Sequence, residues 1–160
     1  MIPTLYILCG VPGCGKTTWA RNFIHEHDPL YQNIRDVSRD EIRFSILKEG
    51  EDYFSHEKEV YRKFAGTITE TLIDGFDVIA DATHLNEFSR RKLTQSIDRR
   101  YTDYEIVYVV FNVDLQTCLE RNAQRTGCAC VPEQTVRNMY RDFRMPTKDE
   151  DERVKEIIEV

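Results

Sequence analysis

Eight residues near the start of the chain read Gly10-Val11-Pro12-Gly13-Cys14-Gly15-Lys16-Thr17. They fit the Walker A spacing G-x-x-x-x-G-K-[ST], in which glycines let backbone N–H groups turn inward around phosphate oxygens. In this spacing the lysine reaches the β- and γ-phosphates of ATP, and the hydroxyl residue ligates Mg²⁺. We therefore predict that these eight residues and Thr18 bind ATP, with Lys16 as a catalytic cation and Thr17 as a magnesium ligand.

The residues on either side of this loop predict a strand before it and a helix after it. Residues 4–9 are apolar and rich in β-formers, and they end at Gly10. Residues 17–25 predict a helix, with Trp19, Phe23 and Ile24 on its packing face. A loop between a strand and a helix brings bound phosphates to the positive end of the helix dipole. The motif therefore occurs in the context that its chemistry requires.

The rest of the chain continues the alternation of strands and helices. Further strands are predicted near residues 33–37, 76–80 and 105–112, and further helices over residues 55–74 and 86–99, after Asp114 and from Pro132. This order predicts an α/β protein with a mostly parallel sheet and helices on both faces, in a single domain over residues 1–160. Ligands of such sheets bind beyond the carboxyl ends of the strands.

Composition and charge exclude several classes of protein. With 41% hydrophobic and 31% charged residues, the chain is neither disordered nor membrane-spanning. The first residues lack the basic start of a signal peptide and the five cysteines stand singly, which predicts a cytoplasmic protein with no membrane partner. A net charge of −6 argues against a general polyanion-binding surface. The locally basic residues 86–101 and 115–145 are where a phosphate-rich ligand is expected.

A candidate general base follows the second predicted strand, in the turn Ser38-Arg39-Asp40-Glu41-Ile42-Arg43. Asp40 is placed to accept the proton of an attacking hydroxyl, as a carboxylate beside the transferred phosphoryl group does in kinases. Arg43, three residues later, shares a helical face with Asp40 and is placed to clamp an acceptor anion. Because Ser38 and Asp40 are also good helix-capping residues, a structural role for this turn stays open.

A second carboxylate ends the next predicted strand, at Asp81. An apolar strand that ends in aspartate is the Walker B pattern, in which the carboxylate orients Mg²⁺ or its waters. Asp81 is followed by Ala82 and not by the second acid with which hydrolytic ATPases activate water, which favours transfer to a hydroxyl. The alternative is that Asp81 caps or turns the chain before Asn86.

Two arginines, Arg121 and Arg125, precede the glycine-containing residues 126–130. Arginines that lead into a mobile loop predict a lid that closes over nucleotide phosphates and stabilises the transferring charge. The alternative is that they are solvated surface arginines.

Four segments in chain order resemble the 5′-kinase domain of bacteriophage polynucleotide kinase, and more loosely the small AAA-type P-loop kinases around it. They are Gly15-Lys16-Thr17-Thr18-Trp19-Ala20-Arg21, Ser38-Arg39-Asp40, Asp81-Ala82-Thr83-His84-Leu85-Asn86 and Arg121-Asn122 with Arg125. The resemblance implies a P-loop NTPase fold with an arginine-bearing lid. It also implies that Asp40 is the base for a 5′-hydroxyl, that Arg43 holds an acceptor phosphate and that Arg125 contacts ATP. Asp81 and Thr83 would lie beside the acceptor.

Three functions are consistent with these residues. The first is transfer of the γ-phosphoryl of Mg²⁺-ATP to a 5′-hydroxyl end of DNA or RNA. The second is phosphorylation of a small-molecule hydroxyl on a nucleoside, sugar or antibiotic, and the third is nucleotide binding or ATP hydrolysis without transfer. Arg43 and the basic segments favour the first over the second. Asp40 and the missing acid after Asp81 argue against the third.

Overall fold

A five-stranded parallel sheet forms the centre of the computed structural model, which describes residues 1–98 and 103–160. The strands are β1 (Thr4–Cys9), β2 (Ile34–Ser38), β3 (Asp77–Asp81), β4 (Glu105–Val110) and β5 (Val154–Glu159). They lie in the order β2-β3-β1-β4-β5, and each pairing is parallel. The predicted parallel sheet is confirmed, and β5 is a strand that the sequence did not predict.

Helices alternate with these strands along the chain. They are α1 (Lys16–His27), α2 (Arg39–Ile46), α3 (Glu57–Ile73), α4 (Glu87–Asp98), α5 (Leu115–Ala123) and α6 (Glu133–Asp142). The helix predicted over residues 86–99 corresponds to α4, and residue 99 lies outside the described residues. Within residues 1–98 and 103–160, no helix is both long and apolar enough to cross a membrane.

The core occupies both faces of the sheet, because alternate side chains of its central strands point to opposite sides. On one face, Phe64, Ile68 and Leu72 of α3 pack with Leu93 of α4 against the sheet. On the other face, Ala20 and Ile24 of α1 and Cys118 of α5 pack against alternate residues of the same strands, Leu8, Ile79 and Val109. The predicted arrangement of helices on both faces is therefore confirmed.

The strand order brings three distant loops to one edge of the sheet. β3 lies between β1 and β2, with Ile7 paired to Ala80 and Ser38 paired to Asp81. The carboxyl ends of these strands therefore lie side by side, and Gly10 N donates to the carbonyl oxygen of Thr83 at 2.9 Å. The loop after β1, the last residue of β3 and the start of α2 consequently share one edge.

Candidate active site

The loop between β1 and α1 has a backbone that depends on glycine at two positions. Gly13 and Gly15 have φ angles of +84° and +97°, a region that other residues seldom enter. A Cβ on Gly13 would lie 2.4 Å from the carbonyl oxygen of Cys118, so α5 also approaches too closely for a side chain there. The loop is thus held in its curved shape by both its own conformation and its contact with α5.

Lys16 places its ammonium group over this loop. Its Nζ donates to the carbonyl oxygens of Gly10 and Val11 at 3.0 Å each and lies 3.6 Å from Cys14 Sγ. Because α1 begins at Lys16, the unpaired N–H groups and positive dipole of its first turn face the same loop. The loop therefore combines a side-chain cation and a helix N-terminus, as phosphate binding requires.

The two predicted magnesium ligands meet at this end of the sheet. Thr17 Oγ1 donates to Asp81 Oδ2 at 2.9 Å, although 64 residues separate them in the chain. The pKa of Asp81 is raised above its ordinary value, chiefly by burial and also by the charges of Asp40 and Glu41. The charge of Lys16 and the hydrogen bond from Thr17 offset part of this increase. A hydroxyl and a carboxylate are the hard oxygen ligands that suit Mg²⁺, which keeps several waters and binds substrate phosphates as well. The residues present therefore fit a magnesium ion held by Thr17 and Asp81.

Asp40 is fixed through one of its two carboxylate oxygens. It lies in the first turn of α2, where Ser38 caps the helix by accepting the N–H of Glu41 at 3.2 Å. Asp40 Oδ1 accepts hydrogen bonds from Arg43 Nη1 and from the Tyr53 hydroxyl, the latter at 2.5 Å. Within the described part of the chain no hydrogen bond reaches Oδ2, and 41% of the side chain is exposed. The capping alternative thus applies to Ser38, while Asp40 lines a cleft and has one carboxylate oxygen without a hydrogen bond among the described residues.

Arg43 directs most of its donors to its own neighbours. Its Nε and Nη2 lie 2.9 and 2.8 Å from Glu57 Oε1, and its Nη1 donates to Asp40 and to the Tyr53 hydroxyl, the latter at 2.6 Å. A guanidinium has five N–H groups, so these contacts leave one for a ligand. In this geometry Arg43 contacts Asp40, Glu57 and Tyr53, and its role as a clamp on an acceptor anion stays a prediction.

Tyr53 supplies the second hydrogen bond to Asp40, and the sequence did not indicate it. Burial, with the charge of Asp40 and the hydrogen bond to it, raises the pKa of Tyr53 far above its ordinary value. Tyr53 therefore keeps its hydroxyl proton at every pH at which the protein would work. Its contact with Asp40 joins residues 13 positions apart, which no local pattern reports.

A cleft of about 280 Å³ lies between the phosphate-binding loop and α2. Most of the predicted site residues line it: Pro12, Gly13, Gly15, Lys16, Thr17, Thr18, Asp40, Arg43, Asp81, Thr83 and Arg125. Gly10, Val11 and Cys14 are buried in the loop behind that lining. The cleft wall also includes residues that were not predicted: Arg39, Tyr53, Phe54 and Glu57. The structure therefore brings the predicted nucleotide and acceptor residues to one site.

The two arginines of the predicted lid have different positions. Arg125 follows α5, is exposed and lines the cleft. Arg121 lies in the last turn of α5 outside the cleft lining, and its Nη1 donates to the carbonyl oxygen of Gly13 at 3.4 Å. Of the two predicted lid arginines, Arg125 therefore lies on the cleft, and Arg121 joins α5 to the loop between β1 and α1.

A buried ion pair that the sequence did not indicate supports the residues after β3. The fully buried Arg90 donates to both carboxylate oxygens of Glu150, at 2.9 and 2.8 Å, and to the carbonyl oxygen of His84 at 2.9 Å. The His84 ring lies 2.7 Å from the carbonyl oxygen of Leu8, and burial lowers its pKa to about 3. The neutral ring and the ion pair hold the residues around Thr83 against β1.

Several cations of the predicted basic segments 86–101 and 115–145 already have partners in the described part of the chain, while Arg99 and Arg100 lie outside the described residues. In the first, Arg90 is buried, Arg91 pairs with Glu87 at 2.9 Å, and Lys92 lies 4.1 Å from the centre of the Tyr61 ring. In the second, Arg137 pairs with Glu133 and Arg141 with Asp142, at 3.2 and 3.0 Å. The cations clustered in the sequence therefore include several that are paired within the protein.

Comparisons with known proteins agree with this geometry. A family model described as AAA domain matches residues 5–146. The putative bifunctional polynucleotide kinase/RNA ligase of Autographa californica nuclear polyhedrosis virus is 23% identical over 157 residues, which cover 87% of this chain and 20% of that protein. The present chain thus spans only a small part of its curated relative.

Solved structures share the fold. A chain of the Pnkp1/Rnl/Hen1 RNA repair complex has a TM-score of 0.71 and 24% identity, over 88% of this chain and 44% of that one. A sugar kinase from Janibacter sp. HTCC2649 has a TM-score of 0.62 and 15% identity, over 99% of this chain and 86% of that one. The predicted P-loop fold and the resemblance to polynucleotide kinases are confirmed.

Proposed function

This chain belongs to the AAA domain family, and from that premise we propose that it is an ATP-dependent kinase that phosphorylates a 5′-hydroxyl end of a nucleic acid. The observation that carries the proposal is the position of Asp40. Its Oδ1 is fixed by Arg43 and Tyr53, and it lines the same cleft as Lys16 and Thr17. A free carboxylate oxygen opposite a phosphate-binding loop fits transfer to a hydroxyl better than hydrolysis.

On the nucleotide side, the loop holds the phosphates of ATP in line with the acceptor. Lys16 contacts the β- and γ-phosphates, and Arg125 reaches them from the lid. Thr17 and Asp81 would hold Mg²⁺, and the chemistry that this ion would supply is neutralisation of the charge on the phosphate oxygens. The curved loop and the Thr17–Asp81 pair are held by contacts within the protein, so they need little reorganisation during the reaction.

On the acceptor side, Asp40 Oδ2 accepts the proton of the 5′-hydroxyl. The hydroxyl oxygen forms a bond to the γ-phosphorus while the bond from that phosphorus to the β–γ bridging oxygen breaks, and ADP leaves. Because Arg43 and Tyr53 both bind Oδ1, the carboxylate cannot rotate away from the hydroxyl. Arg43 has one N–H left for an acceptor phosphate, and Thr83 lines the cleft beside Asp81.

A nucleic-acid acceptor is supported by the order of the motifs and by the viral relative, a putative bifunctional polynucleotide kinase/RNA ligase. A small-molecule acceptor is the second candidate, and one observation favours it. Arg43 pairs with Asp40, Glu57 and Tyr53, so the acceptor side of the cleft has less free positive charge than a polyanion would use. The same sheet and helices occur in a sugar kinase of low identity.

The test is transfer of label from γ-labelled ATP to a panel of acceptors. The panel contains 5′-hydroxyl DNA and RNA oligonucleotides, nucleoside 3′-monophosphates, nucleosides and sugars, with Lys16→Ala as the control. We expect label on the oligonucleotides and on the nucleoside 3′-monophosphates. Label on sugars or nucleosides alone would identify a small-molecule kinase, and release of phosphate without a labelled acceptor would identify an ATPase.

A further inference from the structure

We propose that Phe54 stacks on the base of the terminal nucleotide of the acceptor, so that the base contributes more to acceptor binding than the phosphates do. This inference rests on the proposed function and identifies which part of the acceptor the protein binds. It also predicts that the acceptor end is unpaired, because a base in a duplex already stacks on its neighbours.

The position of Phe54 follows from the contacts of Tyr53. Phe54 lines the cleft, and its ring lies edge-on to Tyr53, with 4.7 Å between ring centroids and an interplanar angle of 83°. Tyr53 is in turn bonded to Asp40 and lies under the Arg43 guanidinium, 4.0 Å from its ring centroid. Phe54 therefore contacts Tyr53, and Tyr53 contacts Asp40, the residue that would receive the hydroxyl proton.

Core packing does not account for Phe54. Its exposed fraction is 46%, and it belongs to none of the hydrophobic clusters in the described part of the chain. Tyr53, by contrast, packs against the small cluster of Leu119, Val131 and Val136. A single exposed aromatic residue is ordinary on a protein surface, but this one lies on the wall of the cleft, beside the candidate base.

The charges around Phe54 favour a neutral, flat group over a phosphate. The charged residues of the cleft wall on this side are two acids, Asp40 and Glu57, and two arginines, Arg39 and Arg43. The two arginines on this side of the cleft, Arg39 and Arg43, both pair with Glu57, at 3.0 and 2.8 Å. Because these charges offset one another, phosphates gain little net attraction here, whereas a base has an uncharged π-face that stacks on an aromatic ring.

The experiment compares two acceptors that differ only in the base. They are a nucleoside 3′-monophosphate and the corresponding abasic sugar 3′-phosphate, each with the same 5′-hydroxyl. The variants are Phe54→Ala and Phe54→Trp, with Phe88→Ala as the control, because Phe88 is 77% exposed in α4 and outside the cleft lining. The measured quantities are kcat and KM for each acceptor at saturating ATP, and KM for ATP.

We expect Phe54→Ala to raise KM for the nucleotide roughly 5- to 100-fold, the loss of one stacked base, with kcat and KM for ATP unchanged. Phe54→Trp should restore KM, Phe88→Ala should resemble the wild type, and the abasic acceptor should be equally poor for the wild type and Phe54→Ala. An unchanged nucleotide KM in Phe54→Ala would overturn the inference. So would an equal loss with the abasic acceptor or an equal rise in KM for ATP, because either indicates general damage.

Failure of the proposed function has a different result. A wild-type protein that phosphorylates no nucleotide or oligonucleotide overturns both the proposed function and this inference, even if Phe54→Ala affects a sugar. A wild-type protein that phosphorylates nucleotide and abasic acceptors equally well overturns the inference alone.

Discussion

Replacing Asp36 with asparagine should stabilise the protein at neutral and alkaline pH. Asp36 lies in β2, and burial raises its pKa to about 7, with further increases from Asp81 and Glu41 and a decrease from Arg21. Its Oδ1 is buried and has no hydrogen-bond partner among the described residues. The ordinary value is 3.8, and each pKa unit corresponds to about 1.4 kcal/mol, so the ionised carboxylate costs at most about 4 kcal/mol of folding free energy. Partial solvent exposure screens the charge, so about 2–4 kcal/mol is expected.

The sign of this effect depends on pH. Between pH 3.8 and about 7 the folded state binds the Asp36 proton more tightly than the unfolded state does, so this group lowers stability progressively as pH rises. His84 acts in the opposite direction, because burial lowers its pKa from 6.5 to about 3 and its unfolded state binds the proton more tightly. In the wild type the two dependences oppose each other from about pH 4 to 6.5. In Asp36→Asn the His84 dependence is no longer opposed by Asp36, so stability should fall more steeply than in the wild type on acidification below pH 6.5.

Thermal melting from pH 4 to 8 without nucleotide measures both effects. At about 2–4 °C per kcal/mol for a chain of this size, Asp36→Asn should melt roughly 5–15 °C higher than the wild type at pH 8. The gain should shrink towards pH 4, which is close to the ordinary pKa of 3.8, because the folded state then keeps Asp36 protonated at little cost. Asp74→Asn is the matched control, because Asp74 is exposed at the end of α3 and should have little effect. A variant no more stable than the wild type at pH 8 would refute this account of Asp36.

Three further predictions concern the cleft. Lys16→Ala should abolish phosphoryl transfer and melt close to the wild-type temperature, since the ammonium contacts the loop and not the core. Wild-type turnover in this variant would contradict the assignment of the loop as the phosphate-binding loop. Arg125→Ala should lower kcat by a larger factor than it weakens ATP binding, because the lid arginine meets the phosphates mainly in the transition state. A rise in KM for ATP with unchanged kcat would instead show that Arg125 binds the ground state and the transition state equally. Tyr53→Phe should lower kcat roughly 10-fold with ATP affinity unchanged, because it removes one hydrogen bond to a charged group. An unchanged kcat would show that Arg43 alone fixes Asp40.

The sequence was sufficient for most of the fold but not for the last strand. The buried strands β1, β3 and β4 are short apolar runs, and such runs are readily distinguished from the amphipathic helices between them. β5 contains Lys155, Glu156 and Glu159, and it lies at the edge of the sheet, where half of its residues are exposed. Edge strands tolerate this charge, so the pattern of β5 resembles that of a solvated terminal segment.

The candidate site was predictable where its chemistry depends on residues close together in sequence. The loop from Gly10 to Thr17, the Asp40 turn and Asp81 each have a local pattern, and the sheet order then brings them together. Tyr53 and Glu57 have no such pattern, because their role depends on how α3 and the loop before it pack on α2. The ion pairs of the basic segments were likewise not predicted, because the net charge of a segment does not show which side chains pair with each other.

The most direct test of the proposed function is single-turnover transfer by Asp40→Asn, measured together with ATP affinity. Asparagine keeps the size of the side chain and can still accept from Arg43 and Tyr53 through its oxygen, but it cannot take up the hydroxyl proton. We predict that transfer from labelled ATP to a 5′-hydroxyl oligonucleotide falls about 100-fold or more while ATP affinity stays at the wild-type value. Transfer near the wild-type rate, or an ATP affinity that falls by the same factor as transfer, would contradict the role of Asp40 as the general base.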